Sequence, residues 1–473
     1  MMDDSHEGTK PQRREEKQLG KNSKPLRAFV SSCEPKKPDG KPALIPKLRF
    51  PEFRGAEGWT TETLGSVASV STEKVGDKTC IPMSITSGVG LISQLEKFGR
   101  IIAGSSYKNY LLLKKNDFAY NKSATKEYPE GFIALYSGDE FAAVPNSIFT
   151  CFRIKGDSPA PQYLNYLFLG NLHGQWLRKS IEVGARAHGS LSIDEDDLLA
   201  LPVPLPKGES SLPEQQRIAD CLSSVDELIA AQSRKLDALK THKKGLMQQL
   251  FPREAETQPR LRLPEFQNAV EWVVKPFSEL CDIRHGYAFE GEFFSNEGDY
   301  VLLTPGNFYE QGGYRDRGEK QKYYTGEIPR DYVLNYGDLL VAMTEQAVGL
   351  LGSPILVPES DKFLHNQRLG LVTKKPGVAW MNELFFHVFN TEPVRKAIHA
   401  SASGAKVRHT SPTKIGEVVV SFPTSLLEQQ RIADCLTSLD DLIAAQTQKL
   451  EFLKAHKKGL MQQLFPFTEE VEA

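Results

Sequence analysis

A stretch of this chain from Glu214 to Pro252 recurs, nearly unchanged, from Glu428 to Pro466. The copies read EQQRIADCLSSVDELIAAQSRKLDALKTHKKGLMQQLFP and EQQRIADCLTSLDDLIAAQTQKLEFLKAHKKGLMQQLFP. The offset, 428 − 214 = 214 residues, is close to half of the 473, which marks a tandem duplication of one large unit. Each copy has an unbroken heptad seam. In the first it runs through Ile218, Leu222, Val225, Ile229, Gln232, Leu236, Leu239, Lys243, Leu246 and Leu250. In the second it runs through Ile432, Leu436, Leu439, Ile443, Gln446, Leu450, Leu453, Lys457, Leu460 and Leu464. Such a seam requires a partner helix of matching length. At ~1.5 Å per residue each helix is roughly 55 Å long, beyond an ordinary core helix. Phe-Pro ends both, since proline cannot continue the ladder. Equal units that pair through like surfaces do so about a twofold axis. The spacing therefore predicts antiparallel helices with Gln232 opposite Gln446.

The duplication reaches beyond the helices. PKLRFPEFRGAEGW (Pro46 to Trp59) matches PRLRLPEFQNAVEW (Pro259 to Trp272). Between lead and helix the halves diverge, but LKKNDFAYN lies on LNYGDLLVAM, aligning Asp117 with Asp338 as turn residues. PNSIFTCFRI lies on NQRLGLV, and GARAHGSLS parallels GAKVRHTSPT. Short β-type runs, Gly/Asn turns and a helical stretch in each half predict an α+β domain. Two domains with one skeleton and different loops are expected to do one job on different targets.

Composition sets further bounds. There are 58 Lys+Arg against 60 Asp+Glu, a net charge of −2, so no global basic field exists. No apolar run approaches a membrane span and the N-terminus does not read as a signal peptide. Residues 1–45 are charged and Pro/Lys-rich and are expected to be a disordered extension. None of the six cysteines, Cys33, Cys80, Cys151, Cys221, Cys281 and Cys435, forms a CxxC pair or a metal-like cluster with histidine. Cys221 and Cys435, repeat equivalents beside the helical seam, are expected to be small core residues, and the cysteine usage fits a reducing cytoplasm.

The repeated EQQRIADCL…KKGLMQQLFP, the PxLRxPEF leads, GYAFEGEFFS, GDLLVAMTEQAVG, HNQRLG and SGAKVRHTSP before VVVSFP resemble the specificity subunit of Type I restriction–modification systems. The resemblance covers about Pro46 to Pro466. It implies two tandem α+β target-recognition domains, 46–207 and 256–423, each followed by a conserved helical spacer, 208–255 and 424–466, with a tail at 467–473. The two spacers would pair as antiparallel coiled-coil helices with pseudo-twofold symmetry. Each domain would read one half of a bipartite site in double-stranded DNA, and the helices would set the gap. The implied subunit is non-catalytic. It directs two methylation subunits and ATP-dependent restriction subunits, and S-adenosylmethionine, ATP and Mg are expected on those partners rather than on this chain.

Candidate DNA contacts follow from residue chemistry. Arginine reads guanine bidentately, glutamine reads adenine, and lysine more often meets phosphate. In the first domain Lys122 and Lys126 occupy a polar loop after a strand-like run, and Arg186 and His188 occupy a Gly-flanked loop. In the second, Arg284 and Tyr287 belong to RHGY, Gln346 follows GDLLVAM, and Lys406, Arg408 and His409 occupy the loop matching that of Arg186. Gln367 and Arg368 sit in an apolar context and read as structural. The acidic run from Asp194 to Asp197 reads as the N-terminal cap of a short helix.

Motifs for chemistry are absent from the sequence. There is no Asn/Asp/Ser-Pro-Pro-aromatic tetrapeptide for amino methylation, no G-x-x-x-x-G-K-[ST] phosphate cradle and no HExxH. The competing reading is a coiled-coil scaffold whose globular halves bind proteins. Protection of a discontinuous DNA sequence discriminates the two.

Overall fold

The computed structural model describes residues 44–466 apart from 87, 127, 182–190, 192, 405 and 406. The chain forms two compact units, Met1–Ala219 with Met461–Ala473, and Asp220–Leu460. The division cuts through both long helices, not at their ends. In the first unit the cause is visible: the Leu48 N–H donates to the Gln463 carbonyl at 2.8 Å, and the rings of Tyr163 and Phe465 meet edge-on at 5.4 Å.

The first unit carries an antiparallel sheet of β1 (Ala68–Ser71), β2 (Phe118–Asn121), β3 (Phe132–Leu135) and β4 (Phe149–Ile154), in the order β1-β4-β2-β3. Phe118 and Phe152 stack at 5.1 Å beneath Phe168 of the Pro161–Leu169 helix, all three fully buried. A second sheet, Gly90–Ser93, Ile81–Thr86, Ala142–Val144 and Leu111–Leu113, includes one parallel pairing. A ribbon of Trp59–Thr63 with Pro202–Pro206 joins the start of the domain to its end.

The second unit repeats this plan with different residues. Its main sheet is β5 (Cys281–His285), β6 (Leu339–Ala342), β7 (Pro354–Leu356) and β8 (Leu369–Lys374), ordered β5-β8-β6-β7. A second sheet again contains one parallel pair, and the closing ribbon is Val273–Pro276 with Val419–Phe422. The fold is α+β in both units.

Two long helices, Ser211–Leu250 and Leu426–Leu464, span 40 and 39 residues. Every seam position named above is buried or half-buried. The helices run antiparallel, because successive contacts ascend one and descend the other. Gln232 donates through Nε2 to Oε1 of Gln446 at 2.8 Å, Lys243 meets Asp440 at 2.5 Å, and Lys457 meets Asp226 at 2.7 Å. Asp226 and Asp440 are repeat equivalents, as are Lys243 and Lys457, so the helix pair exchanges identical ion pairs about a local twofold at the glutamines. Its seam is less apolar than the heptads suggest. The two lysines stretch along it and carry their ammonium groups to an acid on the opposite helix.

The repeated EQQR opening is explained by the leads. Glu214 accepts from Arg49 through both oxygens at 2.7 Å and from the Trp59 indole at 3.3 Å. Glu428 does the same with Arg262 at 2.7 Å and Trp272 at 3.0 Å. Both carboxylates are about 1% exposed. Arg217 pairs with Glu52 and Arg431 with Glu265, the acids of the two PEF leads. Each lead is thereby clamped to the first turns of its own helix.

Candidate nucleic-acid interface

Sheet register decides which loops meet. In the second unit β5 and β6 end, and β8 begins, at the same edge of the sheet, since β8 is antiparallel to both. Beyond that edge the backbone pairing continues. Tyr287 bridges Asn366, and the Met343 N–H donates to the Arg368 carbonyl at 3.1 Å. Thr344 bridges His409, and the Glu345 N–H donates to the Arg408 carbonyl at 2.9 Å. Segments far apart in sequence, those of Arg284 and Tyr287, of Gln346, and of Arg408 and His409, thus form one cluster. Lys406 lies outside the described residues.

The side chains in this cluster are not equally free. Gln346 is exposed. The Arg284 guanidinium donates to the Asp331 carbonyl at 2.7 Å and lies 5.5 Å from the Tyr332 ring centroid, a cation–π contact that fixes its aim. Tyr287 packs on Phe289 and Tyr332 at 5.1 and 5.3 Å and remains 37% exposed. Arg408 is half-buried and donates to the His399 carbonyl, at the end of the helix α1 (Glu392–Ala400). It braces the loop and has less reach than its sequence suggests. His409 contacts Thr344 Oγ1 through Nδ1 at 3.3 Å.

Gln367 and Arg368 stand differently from their sequence reading. Their backbone is structural: Asn366 Oδ1 accepts the Arg368 N–H at 3.0 Å, and the Tyr287 carbonyl accepts from Gln367 at 3.0 Å. That turn sends both side chains outward, and both are exposed beside Tyr287. The signal was Asn two residues before Arg, an Asx turn. Beneath them His365 is buried, its Nε2 near the Leu369 carbonyl at 3.0 Å, and burial pushes its pKa down to about 4. The loop's acid, Glu345, is mostly buried and accepts from its own Gly349 N–H at 3.0 Å. Glu345 thus adds little exposed negative charge to the rim.

The first unit has the same edge. Lys122 takes the place of Met343: its N–H donates to the Ile148 carbonyl at 2.9 Å and its carbonyl accepts from Leu191 at 2.8 Å. Its side chain is half-buried, and Lys126 is exposed four residues on. Arg186 and His188 lie outside the described residues. Asp117 and Asp338 both close turns before the central strand, accepting from the backbone N–H of Lys114 and Asn335 at 2.8 Å; Arg153 also pairs with Asp117 at 2.6 Å. Asp194 caps the Glu195–Leu199 helix through the Asp197 N–H at 2.7 Å. Among the described residues no group of three or more His, Cys, Asp or Glu is placed to hold a metal ion, and no helix is long and apolar enough to cross a membrane.

A family model described as the Type I restriction modification DNA specificity domain matches residues 269–455. Among curated proteins, the chain is similar to the Type I restriction enzyme MjaVIII specificity subunit of Methanocaldococcus jannaschii, 24% identical over 272 residues. That match covers 57% of this chain and 62% of that protein, less than two thirds of its length. It is 28% identical over 204 residues to the EcoBI specificity subunit of Escherichia coli, covering 43% of this chain and 38% of the other. Among solved structures, the Type I S subunit from M. genitalium shares the fold with a TM-score of 0.53 at 15% identity, over 90% of this chain and all of that one.

Proposed function

We propose that this chain is the sequence-specific DNA-reading subunit of a Type I restriction–modification system and performs no chemistry itself, a reading supported by its similarity to the specificity subunits of such systems. The observation that carries this reading is the convergence, at one sheet edge, of Arg284, Tyr287, Gln346, Gln367, Arg368 and His409. A braced rim of donors, acceptors and an aromatic ring fits the major groove, where all four base pairs differ in pattern. Phosphate contacts then come from lysines such as Lys122 and Lys126. The matching edge of the first unit reads a second, unrelated half-site.

In this reading the helices act as the spacer. A rod of roughly 55 Å exceeds the ~34 Å between successive turns of one groove. Two methylation subunits and the ATP-dependent restriction subunits supply the reaction, with S-adenosylmethionine, ATP and Mg held on them. The test is a map of methylated adenines in cells expressing this chain with its methylation subunit. Two short half-sites split by a fixed gap support the proposal. A continuous motif refutes the bipartite geometry, and no methylation by an assembled complex favours the protein scaffold.

A further inference from the structure

The segment from Thr344 to Gly349 is braced at both ends, with Gln346 to Val348 exposed between them. Thr344 and Glu345 pair with His409 and Arg408, and the Gly349 N–H closes onto the Glu345 carboxylate. From beneath, Arg395 of α1 donates to the Glu310 carbonyl at 3.0 Å and to the Gly349 carbonyl. Desolvation there lowers the Arg395 pKa to about 10. Gly349 adopts φ +89°, a left-handed turn that suits glycine. Leu350 and Leu351 then turn inward and are 4% and 0% exposed. Val348 is 94% exposed at the tip, two residues from Gln346.

A braced loop that holds an aliphatic side chain in water, while the next two apolar residues are buried, has apolar surface to offer a partner. We propose that Val348 is a specificity-determining residue that contacts the 5-methyl group of a thymine in the half-site read by the second unit. The inference rests on the DNA-reading function above. In the major groove only thymine presents a methyl group, and apolar side chains recognise it by contact. Gln346 beside it would take the polar edge of the same or the adjacent pair.

The test measures binding of the full chain, assembled with its methylation subunits, to duplexes carrying its mapped site. Each thymine is replaced in turn by uracil, which removes the methyl and nothing else. One replacement is expected to weaken wild-type binding about fourfold, the effect of one methyl leaving an apolar contact. Val348→Ala, whose shorter side chain draws back from the methyl, is expected to protect the same site but to bind the thymine duplex about fourfold more weakly than wild type and no tighter than the uracil duplex. The proposal is overturned if wild type binds every uracil duplex as tightly as its parent, if Val348→Ala keeps the discrimination, or if the site has no A·T pair in that half. Failure to protect any discontinuous sequence instead sinks the DNA reading itself.

Discussion

Arg49 and Arg262 do one job at two places, and the cost of losing either follows from burial. Each holds a carboxylate that is about 1% exposed and also accepts an indole N–H. Removing the arginine strands a buried charge, whereas replacing both partners by apolar groups need not. Arg262→Ala is therefore expected to destabilise its unit by about 3 kcal/mol in urea unfolding, and Arg262→Met with Glu428→Met to recover most of it. Buried histidines set a second expectation. Burial lowers the pKa of His173 and His365 to about 4 and of His387 to about 3. The unfolded chain binds these protons near pH ~6.5, before the folded one does, so the stability they contribute is full above that pH and falls as pH drops towards 4. The melting temperature should fall between pH 7.5 and 5, and His387→Leu should flatten part of that slope.

The helix pair carries its own specification. Gln232 is buried and donates to both the carbonyl and the side-chain oxygen of Gln446, at 3.1 and 2.8 Å. Slipping the helices by one heptad would leave both amides against apolar neighbours, so the pair fixes register at some cost in stability. Gln232→Leu alone is expected to cost about 1–2 kcal/mol, because Gln446 loses its partner in a dry seam. Gln232→Leu with Gln446→Leu should raise the thermal midpoint above wild type. A double variant less stable than either single one would refute this account. The paired Asp226–Lys457 and Asp440–Lys243 bridges then become the remaining register markers.

For the whole molecule, the expectations rest on the proposed function. Adding one heptad to each helix at equivalent seam positions preserves the packing pattern and lengthens the rods by ~10 Å, about three base pairs at ~3.4 Å each. The methylated motif should keep both half-sites and widen its gap, as mapping of modified adenines would show. Exchanging residues 256–423 for the equivalent region of another specificity subunit should change one half-site only. The duplication, the heptads, the central glutamines and the α+β plan were all legible in the chain. Periodicity and repetition are local patterns, which hydrophobic burial and helix geometry translate directly. The clamp between Arg262 and Glu428 joins residues 166 apart, and nothing in their neighbourhoods announces it. Strand register and the bridges beyond it brought Tyr287, Gln346 and His409 to one edge, and tertiary packing committed Arg284 and Arg408 to backbone carbonyls. The sequence by itself determined that two like domains would be joined by paired rods. Which side chains remain free to meet a ligand was decided only by tertiary structure, because that depends on hydrogen-bond partners that long-range pairing supplies.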